Sequence, residues 1–221
     1  MAYSSHESFS RGFAVSATQQ SIYQSGVKRV FDLAIVAIAA VPAALIVLVL
    51  AILISRDGST PFYRQERVGK HGKRFHMIKL RSMVPNADQM LETHLANDAA
   101  ARAEWDEKQK LTHDPRITRL GRFIRKTSLD ELPQFFNVFV GDMSVVGPRP
   151  MMTDQTKLYP GTAYYLMRPG ITGFWQTSER NECSFAERAY HDTKYARSIT
   201  FLTDLKVVFR TVFVVAQGTG V

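Results

Sequence analysis

The 221-residue sequence predicts an α/β, membrane-associated fold: an N-terminal membrane helix, a small sheet and surface amphipathic helices. Three observations carry this expectation. An uncharged apolar run fills residues 33–54, two strand-like segments flank a glycine turn at 68–72, and apolar residues recur at helical spacing over 201–213.

Composition narrows the function. A single cysteine, Cys183, rules out an intrachain disulfide, and six scattered histidines lack the spacing of a zinc site. Any metal would therefore be held by carboxylates. The net charge of +8 points to a polyanionic partner: nucleic acid, an anionic membrane face or phosphorylated substrates. No helix-turn-helix, zinc-finger or RNP signature is present, and the apolar run already supplies a polyanionic surface, so no nucleic-acid partner is expected.

Residues 1–27 are rich in Ser and Gln and read as a mobile tail, with room for a short surface helix around 16–23. The following run, LAIVAIAAVPAALIVLVLAILI, has the ~20 residues a bilayer-crossing helix needs. It is too long for a signal-peptide core, and Ser55-Arg56-Asp57 behind it is no cleavage site. Pro42 lies mid-run and predicts a kink. Both flanks are basic, Lys28 and Arg29 before the run and Arg56, Arg64 and Arg67 after it, so both ends prefer the cytoplasm. A helix bent at Pro42 that re-enters its own leaflet satisfies this; a simple span with a short outside tail is the alternative. Either way Asp32 is expected at the interface, because a lone carboxylate deeper in hydrocarbon costs roughly 2.5–3.5 kcal/mol.

Segments 60–67 and 74–83 read as strands joined by Val68-Gly69-Lys70-His71-Gly72, which matches neither the spacing nor the context of a phosphate-binding loop. Residues 87–110, rich in Ala, Glu, Lys and Leu, suit one or two solvated helices ended by Asp114-Pro115-Arg116. Beyond them, Arg116, Arg119, Arg122, Arg125 and Lys126 interleave with Ile117, Leu120, Phe123 and Ile124, a pattern suited to anionic lipid. The 201–213 helix, apolar at Phe201, Leu202, Leu205, Val208, Phe209, Val212 and Phe213, fits the core or the membrane surface equally.

The chemistry concentrates at Arg125-Lys126-Thr127-Ser128-Leu129-Asp130-Glu131-Leu132-Pro133-Gln134. Ser128-x-x-Glu131 has the form of a capping box, a purely structural motif. Pro133 belongs in a helix's first turn, which places Asp130 and Glu131 beside an N-terminus, where free N–H groups favour anions. Neighbouring helical side chains diverge by about 100°, so the two carboxylates need separate roles. One as nucleophile and the other holding Mg²⁺ against a diphosphate, with Arg125 on a phosphate, would suit phosphoryl transfer or hydrolysis. Arg149, between Pro148 and Pro150, is either a phosphate-recognising guanidinium on stiff backbone or a solvated turn residue. Arg168-Pro169-Gly170 repeats the theme, its glycine allowing backbone to approach a ligand. Trp175 fits a base-stacking ring, an interface anchor or a core aromatic.

Taken in order, Lys28-Arg29-x-Phe31-Asp32, Phe62-Tyr63 with Arg67-Val68-Gly69, Lys79-x-Arg81-Ser82-Met83, the Arg125–Gln134 motif, Asn137, Gly141-Asp142-Met143-Ser144, Gly147-Pro148-Arg149-Pro150 and Arg168-Pro169-Gly170-Ile171-Thr172-Gly173 resemble the bacterial sugar transferase family, the monotopic polyprenyl-phosphate phosphoglycosyl transferases. The resemblance covers most of the chain from Lys28 onward. It implies transfer of a sugar 1-phosphate from a UDP-sugar to undecaprenyl phosphate with release of UMP, at the cytoplasmic leaflet of the bacterial inner membrane. It implies Asp130 as nucleophile, Glu131 with Mg²⁺, the same carboxylates as metal ligands, and Arg125, Arg149, Lys79, Arg81, Arg168 and Arg180 as substrate-binding residues. It also implies a division into a mobile tail (1–27), a re-entrant membrane helix (28–56) and a cytosol-facing catalytic domain (57–221), and it favours the hairpin. A homodimer is compatible with the sequence, which does not fix the oligomeric state. Two departures stand out: Val41 precedes Pro42 where many members carry serine, and Glu179 precedes Arg180-Asn181 where relatives often carry glycine. The helices at 87–110 resemble members that initiate exopolysaccharide from UDP-galactose or UDP-glucose. A non-enzymatic membrane scaffold and a lipid-diphosphate hydrolase are the competing readings, separable by their need for Mg²⁺ and a nucleotide sugar.

Overall fold

The computed structural model describes residues 22–108, 111–178 and 188–216. Most of the N-terminal tail, Glu179, Arg180 and Asn181 lie outside them. After a π-helical turn at Tyr23–Val27 comes helix α1, Lys28–Ile54, with Pro42 inside it. At ~1.5 Å per residue α1 is long enough to cross a hydrocarbon core. Most of its middle is exposed among the described residues, at Ile38, Val41, Leu45, Leu48 and Ile52, though Ala43 is buried. An apolar surface of that extent is compatible with membrane association.

The hairpin expected at Pro42 is not shown; α1 is one continuous element. Asp32, expected at the membrane interface, finds its partners in the protein. It is almost fully buried in protein, accepting bonds from the Ser144 hydroxyl at 2.8 and 3.0 Å and from the Val145 N–H at 3.0 Å.

Strands β1 (Phe62–Val68) and β2 (Arg74–Leu80) form the expected antiparallel hairpin, with Phe62 opposite Leu80 and Val68 opposite Arg74. Its turn needs positive φ at His71 (57°) and Gly72 (77°), which the second position supplies with glycine. Helices α2 (Ala87–Asn97) and α3 (Ala99–Lys108) enclose a small cluster of Leu95, Ala101 and Leu111, and Arg116 lies over the Trp105 ring. Helix α4, Arg119–Lys126, turns Ile124 wholly inward against Leu50, Ile54 and Leu80. Only part of its apolar face, Phe123, stays exposed.

A short 3-10 turn, Leu129–Glu131, leads into α5, Gln134–Val140. A second two-stranded sheet follows, which the sequence pattern did not announce because its strands are only three residues long: β3 (Ser144–Val146) lies parallel to β4 (Gly170–Thr172). Then come α6 (Phe174–Ser178), α7 (Arg188–Ser198) and α8 (Phe201–Ala216). Helix α8 packs on the core with one side and is exposed on the other. Asp204 and Val207 are buried, while Phe201, Leu202, Phe209, Val212 and Phe213 face outward. The main core gathers Val36, Met77, Val138, Val146, Tyr195 and Val207, so one end of α1 is built into it.

Ser144→Ala leaves the buried Asp32 carboxylate without its hydroxyl donor. It is expected to lower unfolding free energy by about 1.5–3 kcal/mol, measured by denaturant titration of detergent-solubilised protein.

Candidate active site

The site grows from the junction of α4 and α5. Ser128 adopts a left-handed conformation (φ 56°) and its side chain makes no capping bond, so the capping box is not formed. Glu131 turns toward β2, where the Lys79 ammonium donates to its Oε1 at 2.7 Å. Pro133 stands at the N-cap of α5, as its missing N–H allows. Asp130 is buried in the 3-10 turn at 8% exposure.

Arg149 arrives from the far side, its Nη2 3.8 Å from the same Glu131 oxygen. It follows β3 by three residues, and the β3/β4 zipper fixes its backbone: the Gly147 N–H donates to the Thr172 carbonyl at 2.9 Å and the Gly170 N–H to the Pro148 carbonyl at 2.8 Å. The glycines expected to admit a ligand admit backbone instead. A β-carbon at Gly170 would lie 2.1 Å from the Gly147 nitrogen, and one at Gly147 2.4 Å from the Arg168 carbonyl oxygen. The resulting pocket is lined by Arg67, Lys79, Glu131, Gln134, Arg149 and Gln176.

Burial raises the Asp130 carboxyl above the ordinary aspartate range, and Glu131 adds to that push. Lys79, Arg125 and Arg149 oppose it. Arg67, nearly enclosed, is lowered to about 10 by burial and by Arg149, which leaves it charged at neutral pH. Its guanidinium donates to the Pro150 carbonyl at 3.1 Å and to Gln65.

Asp130, Glu131, Lys79, Arg125 and Arg149 are thus brought together. Two other arginines are not. Arg81 binds the carbonyls of Ile54 (3.2 Å) and Thr60 (2.8 Å) and the Asp57 carboxylate (2.7 Å), tying down the end of α1. Arg168 is exposed and donates to the Gly141 carbonyl at 2.8 Å. Three lining residues were not named as site residues by the sequence reading: Arg67, read as a strand residue and a topological charge, and Gln134 and Gln176. The side-chain Nε2 of Gln134 and Oε1 of Gln176 are buried without partners, the usual mark of groups awaiting a ligand or water.

No cluster of three or more metal-ligating side chains occurs among the described residues. Mg²⁺ does not require one, since it is commonly held by one or two carboxylates together with substrate phosphates. The Asp130–Glu131 pair fits that donor set.

The protein thus joins a long apolar helix, compatible with membrane association, to a body whose pocket sets Glu131 among Arg67, Lys79 and Arg149, beside the buried Asp130. Residues 23–218 match the model of the bacterial sugar transferase family, and the chain belongs to that family. It is 47% identical over 197 residues to the UDP-galactose-lipid carrier transferase of Erwinia amylovora, covering 87% of this chain and 41% of the relative. It is 47% identical over 195 residues to the undecaprenyl-phosphate galactose phosphotransferase of Salmonella typhimurium, with the same coverage. The chain therefore spans about two fifths of the length of those two relatives. Against the exopolysaccharide production protein ExoY of Sinorhizobium fredii, identity is 41% over 196 residues and coverage 87% of each.

A raised Asp130 carboxyl means that the folded protein holds this proton more tightly than the unfolded chain does. Its contribution to stability is full at low pH and lost as pH rises through the raised value. Asp130→Asn is therefore expected to melt at a higher temperature than wild type at pH 7, with the difference closing below about pH 4, where both states are protonated. Thermal unfolding across pH checks this; a lower melting temperature at pH 7 would show that the surrounding cations outweigh burial.

Proposed function

We propose that the protein transfers a sugar 1-phosphate from a UDP-sugar, UDP-galactose or UDP-glucose, to undecaprenyl phosphate, releasing UMP and initiating exopolysaccharide or another surface glycan. The observation that carries this reading is the buried Asp130 carboxylate beside the Lys79–Glu131 ion pair, with Arg125 and Arg149 around it. The galactose-lipid carrier and phosphotransferase names of the two relatives support the donor and the acceptor.

The chemistry follows from the residues. Asp130 attacks the sugar-bearing phosphorus; the new carboxylate O–P bond forms as the bond to UMP breaks, and UMP leaves with the electron pair. An oxygen of the lipid phosphate then attacks the same phosphorus and expels Asp130 as a carboxylate. Burial makes Asp130 a stronger base than a surface aspartate, and the nearby cations keep an ionised fraction available. Lys79 holds Glu131 in one orientation, and Arg149 stands where charge develops on the departing phosphate. Mg²⁺ bound by Asp130 and Glu131 would neutralise charge on the diphosphate.

The re-entrant topology belongs to the same proposal. Val36 packs in the main core, while Leu50 and Ile54 pack with Leu80 and Ile124, so both ends of α1 meet one body. A helix spanning the bilayer would leave its ends on opposite faces. With basic flanks, the shared face is the cytoplasmic one of the inner membrane. The exposed phenylalanines of α8, together with Phe136 and Phe139 of α5, would rest at the lipid surface, where the lipid substrate arrives laterally.

The test is UMP release by purified protein with Mg²⁺, undecaprenyl phosphate and a panel of UDP-sugars. One donor should be active, with loss of on the order of 10³-fold or more in Asp130→Asn and in chelator. The rate should rise with pH on the acid side as Asp130 ionises, with a midpoint above the ordinary aspartate value. Undiminished turnover in Asp130→Asn would remove Asp130 as nucleophile; release without a lipid acceptor would favour hydrolysis.

A further inference from the structure

Asn137 stands in the middle of α5, where a short polar side chain is a poor helix former, and it is 2% exposed. A buried carboxamide is tolerated only when it is bonded, and the bonds it makes are not to its own helix. Its Oδ1 accepts from the Ile78 N–H at 3.0 Å and its Nδ2 donates to the His76 carbonyl at 2.8 Å, both of them backbone groups of β2. Among the described residues β1 is the only strand paired with β2, and alternate residues of a strand turn their N–H and C=O groups to the same edge. The carboxamide therefore fills, with one donor and one acceptor, the place that a peptide unit of a neighbouring strand would take on the other edge of β2. The main-chain carbonyl of Asn137 accepts from the Asp142 and Met143 N–H groups at 3.0 and 3.1 Å, so the chain leaving α5 for β3 is tied to the same residue.

This clamp lies between the two halves of an ion pair in the site. Lys79 follows Ile78 in β2, and α5 follows the turn that carries Asp130 and Glu131. The Lys79 ammonium reaches Glu131 Oε1 at 2.7 Å on a flexible stem. A salt bridge between two long, partly exposed side chains is too weak to set the spacing of the backbones that carry them. Two hydrogen bonds from one short, buried side chain do set it. Gln134, one turn before Asn137 on α5, lines the pocket beside Lys79 and Glu131, so the helix face that grips β2 also borders the site. Resting on the transferase reading above, we infer that Asn137 is a positioning residue for the reaction: by standing in for a third strand on β2, it holds Lys79 against Glu131 beside the Asp130 nucleophile. Without the carboxamide, the Ile78 N–H and the His76 carbonyl lose their partner, and β2 is free to draw Lys79 away from the turn.

Asn137→Leu removes both bonds at nearly constant volume, and Asn137→Ser is the milder variant, which carries the comparison should the first not fold. Val138→Ala truncates a fully buried apolar neighbour in the same helix and controls for lost stability alone. Full-length proteins in nanodiscs are compared by three measurements. Amide exchange at Ile78 should be slow in wild type and at least about tenfold faster in both Asn137 variants. Limited acetylation with an amine-reactive reagent, followed by mass spectrometry, should modify Lys79 about fivefold faster in those variants than in wild type or Val138→Ala, with the exposed Lys73 unchanged as internal reference. UMP release should fall about tenfold or more in kcat, with KM for the UDP-sugar within about threefold, while Val138→Ala keeps the wild-type kcat. Lys79 acetylation unchanged in the Asn137 variants, or raised equally by Val138→Ala, would overturn the positioning role. Released Lys79 with wild-type kcat would also overturn it, and would spare the transferase. No turnover in wild type, with Lys79 released only in the Asn137 variants, sinks the transferase and keeps the clamp.

Discussion

Lipid tails are as apolar as the middle of α1, so the hydrophobic effect cannot fix where that helix stands relative to the rest of the protein. Polar bonds at its ends do this instead. The Lys28 ammonium reaches the fully buried Asp204 carboxylate at 2.6 Å and the Val146 carbonyl at 3.0 Å, while Tyr23 and Tyr195 complete the Asp204 cage at 2.8 and 2.6 Å. One turn on, Asp32 takes the Ser144 hydroxyl and the Val145 N–H. Arg29 closes the C-terminal end of α5 by donating to the carbonyls of Val138 and Phe139 at 2.5 and 2.8 Å. Buried charges are tolerable only when satisfied in this way, and breaking one partner leaves the other stranded.

The consequences reach the site through β3. Asp32 and Lys28 grip Ser144, Val145 and Val146, the strand that runs directly into Gly147-Pro148-Arg149. At the other end of α1, Leu50 and Ile54 pack on Ile124 of α4, whose C-terminus delivers Ser128, Asp130 and Glu131. Helix α1 thereby positions both the cation and the carboxylates, one from each of its ends. In the proposed transfer from a nucleotide sugar to a polyprenyl phosphate, that arrangement keeps the pocket within reach of a lipid surface.

Several parts were legible in sequence because they depend on local pattern. The hairpin followed from alternation and a glycine turn, α2 and α3 from composition and helical spacing, and α8 from its apolar period. The Asp130-Glu131 pair stood out by density of charge before a proline. Other contacts were not legible for one common reason, that the partners lie far along the chain. Lys28 and Arg29, read as topological charges, also dock α1; Asp204, on the polar side of α8, is the centre of a buried cage; Arg81 and Arg168, expected to bind substrate, hold backbone carbonyls.

By itself the sequence determined what depends on neighbours within a few residues: an apolar segment of bilayer length, short strands and amphipathic helices, and a carboxylate pair at a helix entrance. Tertiary structure alone decided which charges serve the site and which serve the fold. The Ser128-x-x-Glu131 capping box shows the reason. Its spacing permits a local bond worth about 1 kcal/mol, but Lys79, 52 residues away in sequence, offers Glu131 a charged partner in a partly buried place. The stronger, non-local interaction took the side chain, and the motif became part of a pocket rather than the end of a helix.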